Sequence, residues 1–176
     1  AARDVDEAGG QEVEAEVTDA QAKEMDRVIG QYSTTTTANK DRNTNSKLAS
    51  ECLEGKISQP GETFSFNDTT GPRSLEKGYK PAGAYVNGEL VEEPGGGVCP
   101  VSSTLYNAAV IAGLKTTERH AHSHEPSYVT QAEAAAVSYG GPALTLVHTS
   151  DTHVALRATL ERGMPAKRHV ALDARA

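Results

Sequence analysis

The chain has 176 residues and a formal net charge of −7, from 17 Lys and Arg against 24 Asp and Glu. That length holds one domain with its own core, and an acidic balance without a basic patch disfavours nucleic acid or an anionic membrane surface as partner. No apolar run approaches the roughly 18 residues of a transmembrane helix. Ala1-Ala2-Arg3-Asp4 also lacks the layout of a signal peptide, so the chain is expected to be cytosolic or to have its targeting segment outside this sequence.

Residues 1–17 are acidic, rich in Ala and Gly and almost without large apolar side chains, which predicts a flexible leader or linker. A helix is expected over 18–30, capped by Thr18 or Asp19 and ended by Gly30. The β-branched run 32–37 predicts a strand. Asn43 or Asn45 is expected to cap a helix over 46–53 that closes at Gly55. Leu48, Cys52 and Leu53 share a face of that helix, which makes Cys52 a small buried hydrophobe. A Pro60-Gly61 turn leads into an alternating strand over 63–67. A loop from Gly78 then gives way to a hairpin turning at Asn87-Gly88.

Gly95-Gly96-Gly97-Val98-Cys99-Pro100 follows, and it is the most informative stretch. Glycines let a backbone turn sharply and approach another group closely, and Pro100 suits the first helical position. The helix beyond it carries Val101, Leu105, Ala108, Ala109 and Ala112 along one stripe and ends at Gly113. Cys99 then sits at the helix N-terminus, where free N–H groups and the dipole favour a thiolate. Strands are expected over 115–120, 134–139, 144–148 and 153–160, with a polar tail from Gly163 (163–176). The parts add up to a single α+β domain over 31–162, with a mostly antiparallel sheet and a few helices.

Cys99 is the candidate nucleophile, against the plainer reading of a buried, inert thiol behind a glycine turn. Cys52 and Cys99 lie in such different contexts that no disulfide is expected between them. A nucleophilic thiol gains from an imidazole, and Arg119-His120-Ala121-His122-Ser123-His124-Glu125 offers three. Should the 115–120 strand continue, His120, His122 and His124 share one face and one of them can pair with Cys99. The same side chains could instead hold Zn²⁺, or form a His-rich exposed edge; finger-like spacing is missing, and neither a metal nor a cofactor is assigned. His148 and His153 are expected at the surface. Arg42 or Arg73 could grip a carboxylate. Ser102, Ser103 and Thr104 cap the helix or line the pocket, and the N–H groups of that turn are candidate oxyanion donors.

With these residues in place, the chain resembles the VanW family of bacterial cell-envelope proteins over about residues 31–160. The resemblance rests on Arg42-Asn43-Thr44-Asn45, on Pro60-Gly61-Glu62-Thr63-Phe64-Ser65-Phe66-Asn67, on Gly71-Pro72-Arg73 and on Gly95-Gly96-Gly97-Val98-Cys99 with the helix behind it. It continues through Glu118-Arg119-His120, His122-Ser123 and Ser127-Tyr128-Val129. It implies an extracytoplasmic L,D-transpeptidase that joins peptidoglycan stem peptides in 3–3 cross-links, with Cys99 as nucleophile and His122 as its partner. Cys99 would attack the L,D peptide bond of a donor tetrapeptide, release D-Ala and pass the acyl group to an acceptor amine. The candidate substrate-binding set is Arg42, Arg73, Gly96, Gly97, Ser102, Ser103, Tyr106, Arg119 and Ser123. The family usually carries Gln after the cysteine, where this chain has Pro100. It also tends to a Pro-, Gly- and Asp-containing turn where this chain has Thr130-Gln131-Ala132-Glu133-Ala134. The alternative is a non-catalytic envelope module that binds stem peptides or a partner protein.

Overall fold

The computed structural model describes residues 27–86, 88–161 and 169–175, so the expected leader and residues 18–26 of the expected helix lie outside it. Strand β1 (Val28–Thr35) opens the fold, and Gly30 lies buried inside it rather than ending a helix. Close packing requires the glycine. A Cβ there would stand 2.3 Å from the Ala108 carbonyl oxygen and 2.7 Å from the Ala112 nitrogen, so the bare backbone lets β1 lie directly on the Cys99 helix. Gly30→Ala is expected to destabilise the chain by about 1–3 kcal/mol through overpacking, read as a lower urea midpoint at an unchanged slope.

Helix α1 (Lys40–Leu53) is capped by Asn39, whose side chain accepts the Arg42 N–H at 3.0 Å. It starts well before residue 46 because Asn43 and Asn45 are not caps. Both are buried within the helix and bond to other parts of the chain. Strands β2 (Ile57–Ser58) and β3 (Thr63–Ser65) follow. The strand expected over 63–67 stops at Ser65, whose hydroxyl accepts the Asp68 N–H at 3.3 Å and caps α2 (Phe66–Thr70). The expected hairpin forms from β4 (Pro81–Val86) and β5 (Glu89–Pro94), with Gly88 at φ +86°.

Helix α3 (Cys99–Ile111) begins at the cysteine, with Pro100 in its first turn. Strand β6 (Lys115–Glu118) is shorter than expected and does not run on through the histidines. Residues 134–139 form no strand; an irregular segment follows a 3-10 turn over Gln131–Glu133. Strands β7 (Thr145–Val147) and β8 (Val154–Glu161) lie near their expected places. The polar tail is overturned in part: β9 (His169–Arg175) occupies its second half.

The sheets run β1-β9-β8-β2, β3-β7-β6 and β4-β5, and every pairing is antiparallel. Strand β9 therefore lies inside the largest sheet, where both of its edges find backbone partners. Helix α3 packs on β1 and β9, and α1 packs on β8. The core joins Val101, Leu105, Ala108 and Ala109 of α3 to Leu53, Phe66, Leu144, Leu146 and Leu156. Among the described residues no helix is long and apolar enough to cross a membrane.

Candidate functional site

The glycine turn is clamped from two sides. A Cβ on Gly96 would stand 2.1 Å from the Ala82 carbonyl oxygen, and one on Gly97 would stand 2.9 Å from Cβ of Arg42. Gly97 also sits at φ +98°, where a side chain is strained. The hairpin backbone and α1 thus press on the turn, and α1 binds it directly. The buried Asn45 amide accepts the Lys80 N–H at 2.7 Å and donates to the Lys80 and Gly96 carbonyl oxygens, both at 2.8 Å. The Ser46 hydroxyl donates to the Gly97 carbonyl at 2.7 Å. The turn is thereby fixed, and so is the residue that follows it.

Cys99 is the first residue of α3 and is partly buried, with its thiol donating to the Val137 carbonyl at 3.5 Å. Burial pushes the thiol up from its ordinary range. The Val137 contact, Arg73, Arg42 and the cysteine's own N–H pull in the opposite direction. The resting group is therefore a protonated thiol, not the thiolate expected from helix position alone. The other N–H groups of that turn are engaged or missing. Val101 and Ser102 both donate to the Val98 carbonyl, and Pro100 has no N–H.

Arg73 reaches the site from the far side of the turn, its stem lying against Gly95. Its Nη2 donates to Asn67 Oδ1 at 2.8 Å and Thr70 Oγ1 at 3.3 Å, while Nε is buried and unpartnered. Burial lowers its ionisation from the usual range, and the charges of Cys99, Tyr79, Glu93 and Tyr139 draw it back up. Arg42 is tied to the Gly83 carbonyl through Nη1. A cation favours the thiolate, so Arg73→Met should move the alkaline rise of Cys99 alkylation by iodoacetamide to still higher pH. At a fixed pH below the midpoint the rate should fall about threefold to tenfold. The measurement uses a Cys52→Ser background so that only one thiol reports.

The three histidines do not share a face, because residues 119–125 are a loop. Arg119 anchors that loop by donating to the Ala134 carbonyl at 2.7 Å and the Gln131 carbonyl at 3.1 Å. His120 lies 3.0 Å from Glu118, and His124 stacks on Tyr85 at 4.9 Å between ring centres. His122 faces Tyr128: its Nε2 is 3.4 Å from the phenol oxygen, and the rings meet edge-on at 6.2 Å. Burial lowers the ionisation of His122 and keeps its imidazole neutral. Among the described residues no three His, Cys, Asp or Glu side chains converge to hold a metal, so the zinc ligand set considered above is not assembled. Nor do Cys99 and His122 share a hydrogen bond.

Tyr128 is the residue that site reasoning missed. Burial, and then the charge at Cys99, push its phenol far above the ordinary range, while Ser103 and Arg42 act in the opposite direction. The phenol touches the imidazole, its oxygen 3.4 Å from Nε2. Its sequence signal was the Ser127-Tyr128-Val129 match, which carries no spacing rule tying it to either partner.

The remaining candidates mostly build the walls. Ser102 and Ser103 are fully buried; the first donates to the Ala135 carbonyl at 2.6 Å and the second accepts its N–H at 2.9 Å. Tyr106 and Arg119 meet each other, with the guanidinium 5.0 Å from the ring centre. Ser123 is exposed beside His124. His148 is not at the surface: it is 2% exposed, with Nε2 2.6 Å from Ser150. Cys52 is only half-buried and lines an open cleft of about 360 Å³ with Leu48, Thr70 and Tyr79. A second cleft, of about 520 Å³, lies between β1 and the end of α3, away from Cys99.

Fold and site define an α+β chain that holds a thiol at the head of a helix packed into the core, behind a clamped glycine turn against which the stems of Arg73 and Arg42 lie. A family profile described as VanW like protein matches residues 41–167, and the chain belongs to that family. It is 41% identical over 131 residues, 74% of its length, to the uncharacterized protein YoaR of Bacillus subtilis (strain 168). It is 35% identical over 78 residues, 44% of its length, to the vancomycin B-type resistance protein VanW of Enterococcus faecalis (strain ATCC 700802 / V583). These matches span 43% and 28% of the two relatives, so the chain corresponds to less than half of either. No solved structure matches it.

Proposed function

We propose that this chain is a cysteine acyltransferase of the L,D-transpeptidase type, acting on peptidoglycan stem peptides outside the cytoplasmic membrane. The observation that carries the reading is the placement of Cys99 at the start of α3, under a rigid glycine turn, with Arg73 and Arg42 near enough to favour its ionised form. A donor stem ends in a carboxylate, and these two cations match it. In the proposed reaction Sγ bonds to the donor carbonyl carbon, the amide bond to terminal D-Ala breaks, and D-Ala leaves with a proton. An acceptor amine then attacks the thioester and frees the thiol. The resistance named in one relative supports the cell-wall setting and the extracytoplasmic location.

The test is incubation with tetrapeptide-bearing muropeptides followed by mass spectrometry. An adduct on Cys99 and 3–3 linked dimers are expected; their absence from the wild-type chain overturns the reading. A second reading, a non-catalytic module that binds stem peptides, is favoured by the protonated resting thiol and by the N–H missing at Pro100. It predicts saturable muropeptide binding that Cys99→Ala leaves intact, without an adduct.

A further inference from the structure

The second cysteine lines a cleft that the acyl-transfer reading does not use. Leu48, Glu51 and Cys52 stand three and four residues apart on one face of α1 and form a wall of this open space of about 360 Å³. Thr70 at the end of α2, with Lys77 and Tyr79 from the segment before β4, completes it. Two polar groups there lack an answer. Tyr79 is 2% exposed, and among the described residues its hydroxyl has no hydrogen-bond partner. Lys77 lies over Gly71, where a Cβ would stand 2.8 Å from Nζ, so the bare glycine makes room for the ammonium. That ammonium pairs with no carboxylate among the described residues. We propose that Cys52 is a thiolation site, whose cleft takes a small thiol bearing a carboxylate as a mixed disulfide, with the carboxylate between Lys77 and the Tyr79 hydroxyl.

The guest supplies what the cleft lacks. A carboxylate only accepts hydrogen bonds, and here it meets a phenol without an acceptor and an ammonium without a counter-ion. Burial, and then the charge of Cys52, push the Tyr79 phenol up from its ordinary range against the pull of Arg73, so Tyr79 keeps its proton and donates it. Glu51, the other charge in the cleft, is already held by Lys47 at 3.3 Å, which leaves Lys77 to set the sign of the guest. Leu48 offers an apolar surface to a short carbon stem. The volume lies at the small end of ligand clefts and suits a guest of amino-acid size.

Loading is a thiol–disulfide exchange, and Cys52 is a free thiol able to enter it. Its sulfur, the proton given to solvent, attacks one sulfur of a small symmetrical disulfide. A new S–S bond forms to Cys52, the old one breaks, and the departing thiolate takes up a proton. Cys52 is oxidised and one half of the small disulfide is reduced, so that disulfide is the sole oxidant. Occupancy does not depend on the acyl-transfer chemistry.

The equilibrium is read by mass spectrometry of the intact chain in a Cys99→Ala background, in buffers of fixed disulfide-to-thiol ratio. Two pairs serve as probes: mercaptopropionate with its disulfide, which carry carboxylates, and cysteamine with cystamine, which carry amines. The same chain unfolded in urea gives the intrinsic constant for each pair. Folding should raise the mixed-disulfide constant at least about tenfold for the carboxylate pair, the scale of one charged hydrogen bond, and should not raise it for the amine pair. Lys77→Met, at an exposed position, should remove most of that gain. Tyr79→Phe should cut it about threefold to tenfold, and Lys77→Met carries the measurement should Tyr79→Phe melt early. A cysteine that is merely accessible predicts the same folded-to-unfolded ratio for both pairs. That result overturns the proposal, as does a carboxylate gain that survives Lys77→Met, or a folded constant below the unfolded one for both pairs.

Discussion

Asn45→Asp is expected to destabilise the chain by about 3–5 kcal/mol at neutral pH, the scale of an uncompensated buried charge. Asn45 is fully buried and engages three backbone groups with one acceptor and two donors. A carboxylate keeps the acceptor and loses both donors. It would face the Lys80 and Gly96 carbonyl oxygens with a negative charge and no water. The folded state would then hold the pKa of the introduced carboxyl above its unfolded value, so the defect is largest above that raised value. It should shrink as pH falls through it, because the protonated acid regains one donor. Urea unfolding at a series of pH values reads this directly, as a gap from wild type that narrows in acid. A pH-independent gap would mean that shape, not charge, sets the cost. The variant should also disturb Cys99 without touching it, since the turn that carries Gly96 and Gly97 loses a tether to α1.

Cys99→Ala should remove the muropeptide adduct and the cross-linked product altogether, a loss of at least about a thousandfold for the removal of a nucleophile. The fold should survive, because the thiol is partly buried and makes one weak hydrogen bond. The melting midpoint is expected within a few degrees of wild type, roughly the shift of 1 kcal/mol in a chain of this size. Cys99→Ser tests the chemistry more narrowly. It keeps a donor for the Val137 carbonyl but offers a hydroxyl, a far weaker nucleophile without a strong base in contact. Cys52→Ser should keep the adduct. Product from Cys99→Ala would place the chemistry elsewhere in the chain.

The features legible in the sequence are those written in local chemistry. Asn87-Gly88 marked the hairpin, and Gly95 to Pro100 marked the turn and the start of α3, because glycine and proline act on the backbone where they stand. Asn43 and Asn45 were misread for the opposite reason. Asparagine favours helix caps locally, but here its amides answer Thr36, Thr37, Lys80 and Gly96, partners supplied by the tertiary fold. Alternation of His120, His122 and His124 suggested a strand, yet Arg119 draws that segment toward Ala134 and sends each imidazole to a different neighbour. Helix position suggested a thiolate, and burial outweighs it. The missed strand had a signal in the alternation of Val170, Leu172 and Ala174, masked by the polar run before it.

That strand has a consequence for how such a unit sits in a longer protein. The first described strand pairs with the last, with Val28 opposite Arg175, so the chain enters and leaves the sheet at neighbouring points. A unit with adjacent ends can be spliced into another chain, or carried between flanking segments, without prising its core apart. The boundary of the family match, residues 41–167, excludes both of these strands. A fragment cut at that boundary would leave β8 with a bare edge and α3 with nothing over the face that β1 and β9 cover. Bare edges invite pairing with a second copy, so the portable cassette runs from β1 to β9.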